Sequence, residues 1–76
     1  MNITVLGCGR WGSFLAWYHG QKHNVALWGR AGSRGFAQLC ETRANGYVTL
    51  PDSVRTQPDL GRALAFSDTI VISISA

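Results

Sequence analysis

The chain has 76 residues, is 46% hydrophobic, and carries seven Lys and Arg against four Asp and Glu. That length allows one small domain, which buries only roughly 60% of the surface its unfolded chain exposes. The basic residues (Arg10, Lys22, Arg30, Arg34, Arg43, Arg55, Arg62) are scattered rather than clustered. This speaks against a nucleic-acid partner and fits a solvated surface or a small anionic ligand.

Asn2 to Leu6 reads as a buried strand, and Gly7-Cys8-Gly9-Arg10-Trp11-Gly12 follows it directly. A lone GxGxxG is a weak signal. Behind a strand and ahead of a helix it has the context of a dinucleotide-binding turn. Gly7 permits the turn out of the strand, Gly9 lets a pyrophosphate approach the backbone, and Gly12 lets the helix pack closely. The N–H groups and positive dipole end of that helix face the phosphates. From Arg10 to His19 the apolar residues Trp11, Phe14, Leu15 and Tyr18 recur at helical spacing and define one face. Trp11 either packs inward with Phe14 and Leu15 or lies along the cofactor; periodicity favours packing. Trp17 and Trp28 read as core. Ser13 follows the loop and is within reach of a phosphate, although Ser is common at such positions in any case, and Gly20 is a helix stop.

Asn24 to Trp28 is a second short strand. A strict NAD site has an Asp or Glu about 20 residues past the glycine loop, bonding the ribose 2′-OH. Here the chain reads Leu27-Trp28-Gly29-Arg30, with no acid before Glu41. Arg30, with Arg34 beyond it, suits a 2′-phosphate, because a guanidinium can bond two oxygens at once. This favours NADP over NAD slightly; the alternative is that Arg30 is a plain loop charge. Ser33 caps a second helix to about Arg43, with Phe36, Leu39 and Cys40 inward, and Asn45-Gly46 breaks it. Tyr47 reads as a loop anchor. Val54 to Thr56 is a short strand, and Asp59 caps a short helix carrying Leu60, Ala63 and Leu64. Thr69 to Ser75 is a β-branched run with apolar or small residues on both faces, which suits a strand covered on both faces.

The expected architecture is α/β: a Rossmann-type parallel sheet with flanking helices, truncated after about four strands, with right-handed crossovers. The last strand would lie beside the first, with its other edge unpaired. No Ser/His/Asp set or carboxylate pair is evident, so no catalytic residue is assigned. His19 and His23 lack metal-ligand company, so no metal is expected. Cys8 and Cys40 form neither a disulfide framework nor a metal spacing and read as free thiols in a reducing cytosol. No secretory signal and no bilayer-length apolar stretch is visible, so the expected location is cytoplasmic.

ITVLGCGRWGSFLA, VALWGR, GYVTLPDSVRTQPDLGRAL and SDTIVISIS, in that order, resemble the amino terminus of bacterial NAD(P)-dependent glycerol-3-phosphate dehydrogenase. The resemblance covers essentially the whole chain. It implies an NAD or NADP cofactor and the interconversion of dihydroxyacetone phosphate and sn-glycerol 3-phosphate. It also implies a homodimer when full-length, a role in phospholipid synthesis, and a lysine-bearing substrate domain beyond Ala76. Residues 1–76 would then be the N-terminal part of the dinucleotide-binding domain. By position, Trp11 resembles a tryptophan that contacts the cofactor, Arg30 a basic residue after the second strand, and Tyr47 a tyrosine near the adenine side. Arg10 stands where most members have Ser. The loop from Tyr47 to Pro51 is compressed, and Ile74-Ser75-Ala76 replaces the usual Val-Pro-Ser. The other readings are a non-catalytic nucleotide-binding regulatory module and another Rossmann reductase.

Overall fold

Strands and helices alternate along the chain in the computed structural model, which describes residues 1–74. The elements are β1 (Asn2–Leu6), α1 (Arg10–His19), β2 (Asn24–Trp28), α2 (Arg34–Thr42), β3 (Val54–Thr56), α3 (Leu60–Ala65) and β4 (Thr69–Ile72). The four strands form one parallel sheet in the order β3-β2-β1-β4. In register, Val5 of β1 lies opposite Leu27 of β2 and Val71 of β4. The expected strands, helices and sheet order are all present.

Alternation along the strands divides the sheet into two faces. Ile3, Val5, Val25 and Leu27 pack with Ala16 of α1, Leu39 of α2, Leu50 and Val54 in the main core. On the opposite face Thr4, fully buried, donates its hydroxyl proton to the Ala63 carbonyl at 2.7 Å and so ties β1 to α3. Both expected caps form. Ser33 accepts from the N–H of Phe36, and Asp59 from the N–H of Arg62.

Helix α1 lies the other way round from its aromatic periodicity. Trp11 is 67% exposed, Phe14 39% and Tyr18 58%, while the buried positions are Gly12, Ser13 and Ala16. The helix starts on a tight turn and runs close to the sheet, so only small side chains fit between them. A Cβ on Gly12 would overlap the Gly7 carbonyl, and one on Gly20 would come within 2.6 Å of Val54 Cγ2. Gly20 does end α1, but with φ −65°; the requirement there is space, not a left-handed turn. The displaced aromatics pack on one another, Phe14 lying 6.2 Å from Trp11, 5.9 Å from Trp17 and 6.2 Å from Tyr18. Trp17 and Trp28 are half-buried rather than core. The Trp28 indole N–H donates to the Pro58 carbonyl at 3.1 Å.

Two further expectations are corrected. Phe36 and Leu39 of α2 are buried but Cys40 is exposed. The helix does end at about Arg43 as expected, with Arg43 as its C-cap in the left-handed region at φ 65°. The Arg43 guanidinium donates to the Pro51 carbonyl at 2.9 Å and to the Val54 carbonyl, which holds this conformation. Strand β4 is not covered on both faces: Ile72 is 73% exposed and Ile74 51%. It is an edge strand paired to β1 among the described residues. The expected strand residue Ser75 and the terminal Ala76 lie outside the described residues.

Candidate functional site

The chain leaves β1 through Gly7 at φ +113°, a conformation that glycine adopts without steric cost. The Gly7 N–H donates to the Trp28 carbonyl at 2.8 Å, and the Ser73 N–H to the Leu6 carbonyl at 2.8 Å. The turn is thereby pinned to the ends of both neighbouring strands. A Cβ on Gly7 would overlap the Ser73 carbonyl, so the close packing excludes any other residue.

Gly9 is the N-cap of α1. It has no side chain to cap the helix, and no acidic residue occupies the first turn. The first N–H groups of a helix have no intrahelical partner and carry its positive dipole end, a combination that favours an anion. Beyond Gly9 and its two chain neighbours, no heavy atom lies within 4 Å of where a Gly9 Cβ would sit, so the backbone is open to a ligand there. Gly12 is the opposite case: the Gly7 carbonyl fills its Cβ position.

These features edge a cleft of about 380 Å3. It lies at the C-terminal ends of β1 and β2, where the order reverses and β4 joins the other side of β1. Open α/β sheets bind ligands at such a point. Gly7, Gly9 and Arg30 line it, three of the residues singled out from sequence. Gly12 packs behind the turn. Arg10 and Tyr47 stand outside the cleft wall and pair with each other, the guanidinium carbon 5.6 Å from the ring centre. Trp11 is exposed and sits edge-on to Phe14, so it fills no part of the core.

Other residues of the cleft were missed in the sequence. Cys8, Trp28, Gly29, Ser33, Gly35, Ser73 and Ile74 complete its lining. Gly29 had no readable signal, because its role is to make room for the Phe36 ring, which a Cβ would overlap. Ser33 was legible only as a cap. Its hydroxyl also lies 3.7 Å from Cys8 Sγ, between the two glycine-bearing loops. Ser13 does not face a phosphate: it is fully buried, and its hydroxyl bonds the Gly9 carbonyl at 2.8 Å. Asn45, read only as a helix breaker, donates to that same hydroxyl at 3.0 Å. Among the described residues no group of His, Cys, Asp and Glu could hold a metal, and no helix is long and apolar enough to cross a membrane.

A parallel β-α-β sheet in this order, with a glycine turn opening onto an uncapped helix, defines a Rossmann-type α/β fold. The chain belongs to the family described as NAD-dependent glycerol-3-phosphate dehydrogenase N-terminus, whose model it matches over residues 2–76. It is 38% identical to the glycerol-3-phosphate dehydrogenase (NAD(P)+) of Nitrosomonas eutropha over an alignment covering 97% of this chain and 23% of the relative. It is 39% identical to the same enzyme of Methylobacillus flagellatus, covering 93% of this chain and 22% of that one. The structure of glycerol-3-phosphate dehydrogenase from Coxiella burnetii superposes with a TM-score of 0.80 at 28% identity, over 93% of this chain and 23% of the other. The chain thus spans about a quarter of the length of the proteins it matches.

Proposed function

We propose that residues 1–76 are the N-terminal part of the NAD(P)-binding Rossmann domain of a glycerol-3-phosphate dehydrogenase. The full-length enzyme would interconvert dihydroxyacetone phosphate and sn-glycerol 3-phosphate, in the cytoplasm, as a homodimer supplying phospholipid synthesis. The observation that carries the reading is the open backbone at Gly9 on the uncapped N-terminus of α1, at the reversal point of the sheet.

The dinucleotide, when bound, supplies hydride transfer at its nicotinamide ring. The residues of this chain bind and orient it. Gly7 and Gly12 shape the turn, and Gly9 leaves room for the pyrophosphate against the first N–H groups of α1. Arg10, Trp11 and Tyr47 border the same end of the helix. Arg30 is exposed at the mouth of the cleft, and the first turn of α2 beside it carries no acid. That charge balance supports a 2′-phosphate and hence NADP over NAD. Dihydroxyacetone phosphate and the groups that protonate it would be held by residues outside this chain.

Fluorescence titration of the full-length protein with NADPH and NADH tests the reading. Binding of both, with NADPH tighter and the preference lost in Arg30→Asp, is the expected result. An unchanged preference in Arg30→Asp removes the role of Arg30. Absence of binding to either dinucleotide removes the functional reading.

A further inference from the structure

We propose that Asn45 is a positioning residue of the dinucleotide site. Acting through Ser13, it fixes the Gly9–Arg10 peptide whose N–H faces the bound phosphates, and it holds Tyr47 beside them. The inference rests on the dinucleotide-binding reading above.

Asn45 lies in the loop between α2 and β3. Its Oδ1 accepts from the backbone N–H groups of Tyr47 at 2.8 Å and Val48 at 2.9 Å. An amide oxygen accepts and an amide nitrogen donates, so these two bonds set the orientation of the group. Only Nδ2 is left to face α1, and it donates to Ser13 Oγ at 3.0 Å. With its oxygen accepting from Asn45, the Ser13 hydroxyl turns its single proton to the Gly9 carbonyl at 2.8 Å, with the Arg10 carbonyl at 3.2 Å as a weaker acceptor. The Gly9 carbonyl also accepts the Ser13 N–H at 2.9 Å.

Two bonds on one carbonyl fix the plane of its peptide. The C=O and N–H of a trans peptide point to opposite sides, and no cis peptide is present among the described residues. Holding the Gly9 carbonyl down the helix therefore aims the Arg10 N–H out of its N-terminus, where an anion binds. The same Asn45 side chain shapes the turn that carries Tyr47, whose ring sits 5.6 Å from the Arg10 guanidinium carbon. One amide thus links the pyrophosphate turn to the loop that borders it. Among the described residues Ser13 is, with Thr4, one of two fully buried polar residues, and its bond to the half-buried Asn45 is partly shielded from water. Such a bond is not easily replaced by solvent.

The test uses full-length enzyme carrying Asn45→Ser, Ser13→Ala or both. A serine hydroxyl can still accept from the Tyr47 N–H, as short polar side chains do in turns, but is too short to reach Ser13. Ser13→Ala removes the relay while leaving the Asn45 turn intact, and it carries the test if Asn45→Ser fails to fold. NADPH affinity, the KM for dihydroxyacetone phosphate at saturating NADPH, and the Tm are measured. Each single variant should weaken NADPH about five- to tenfold. The double variant should be no weaker than either single one, and the substrate KM should not move. Wild-type affinity in both single variants overturns the proposal. So do losses that add in the double variant and track a falling Tm, the pattern of a purely structural role. If the wild-type protein binds neither dinucleotide, the functional reading itself fails; if it binds and the variants bind equally well, only the positioning role fails.

Discussion

At the scale of single residues, Gly9 and Gly12 divide the glycine turn into an open position and a filled one. Both belong to one motif, yet a methyl group meets open space at Gly9 and backbone at Gly12. Gly9 has φ −70° and ψ −160°, which any residue can adopt. Gly9→Ala should therefore cost no more than about 1 kcal/mol of stability, the loss of a favourable N-cap residue. It should still weaken NADPH binding severely, because the added methyl occupies the approach to the N–H groups. Gly12→Ala should instead cost about 3 kcal/mol or more, since its overlap is with backbone and cannot be relieved by a rotamer change. Thermal unfolding and NADPH titration of the full-length variants separate the two effects. A Gly9→Ala protein that binds as wild type would remove the pyrophosphate from this turn. The motif and its place between strand and helix were legible in the sequence. Which glycine is open and which is filled was not, because that depends on where Gly7 carries its carbonyl. Asn45 was missed for a similar reason: an Asn-Gly pair signals a turn but not which groups its amide reaches.

Among the elements, α1 carries the clearest lesson about what periodicity reports. Trp11, Phe14, Leu15 and Tyr18 do share a face, but spacing alone does not say which way that face points. Gly12, Ser13, Ala16 and Gly20 form a competing face of small residues, and the close approach of helix to sheet selects it. β1 and β2 were legible because continuous apolar runs between turn residues leave little choice of orientation when both sides are covered. The caps at Ser33 and Asp59 were legible because the cap is local chemistry. Cys40 was misplaced because it follows the buried Leu39 at the rim of a narrow apolar stripe. Enlarging the small face should therefore be costly. Ala16, fully buried, should destabilise the protein by about 1–3 kcal/mol as Ala16→Leu. Tyr18→Gln, on the exposed face, should cost less than Ala16→Leu in the same 76-residue polypeptide, no more than about 1 kcal/mol from its lost stacking on Phe14. Denaturant unfolding of both variants checks the orientation. A silent Ala16→Leu together with a damaging Tyr18→Gln would mean that the aromatic face packs inward in solution.

For the whole molecule, the balance lies between a complete central core and an uncovered side. β1 and β2 are flanked by strands on both edges, and Val5, Val25 and Leu27 are fully buried. β4 pairs with β1 through Ile3↔Thr69 to Leu6↔Ile72, and its other edge has no strand among the described residues. Val71 packs against the core, whereas Ile72 and Ile74 stand 73% and 51% exposed. An exposed apolar edge strand presents unpaired N–H and C=O groups together with sticky side chains, and both favour pairing with another chain. A polypeptide of this size has little stability in reserve to resist that pairing. The 76-residue polypeptide should therefore self-associate, its weight-average mass rising with concentration in sedimentation velocity. Ile72→Lys places a charge on the exposed edge without touching the buried face, and should return the distribution toward monomer. A wild-type polypeptide that stays monomeric throughout would mean that the edge is blunted in solution. If Ile72→Lys associates as strongly as wild type, the contact lies elsewhere, and the exposed Trp11, Phe14 and Tyr18 face of α1 becomes the surface to alter next.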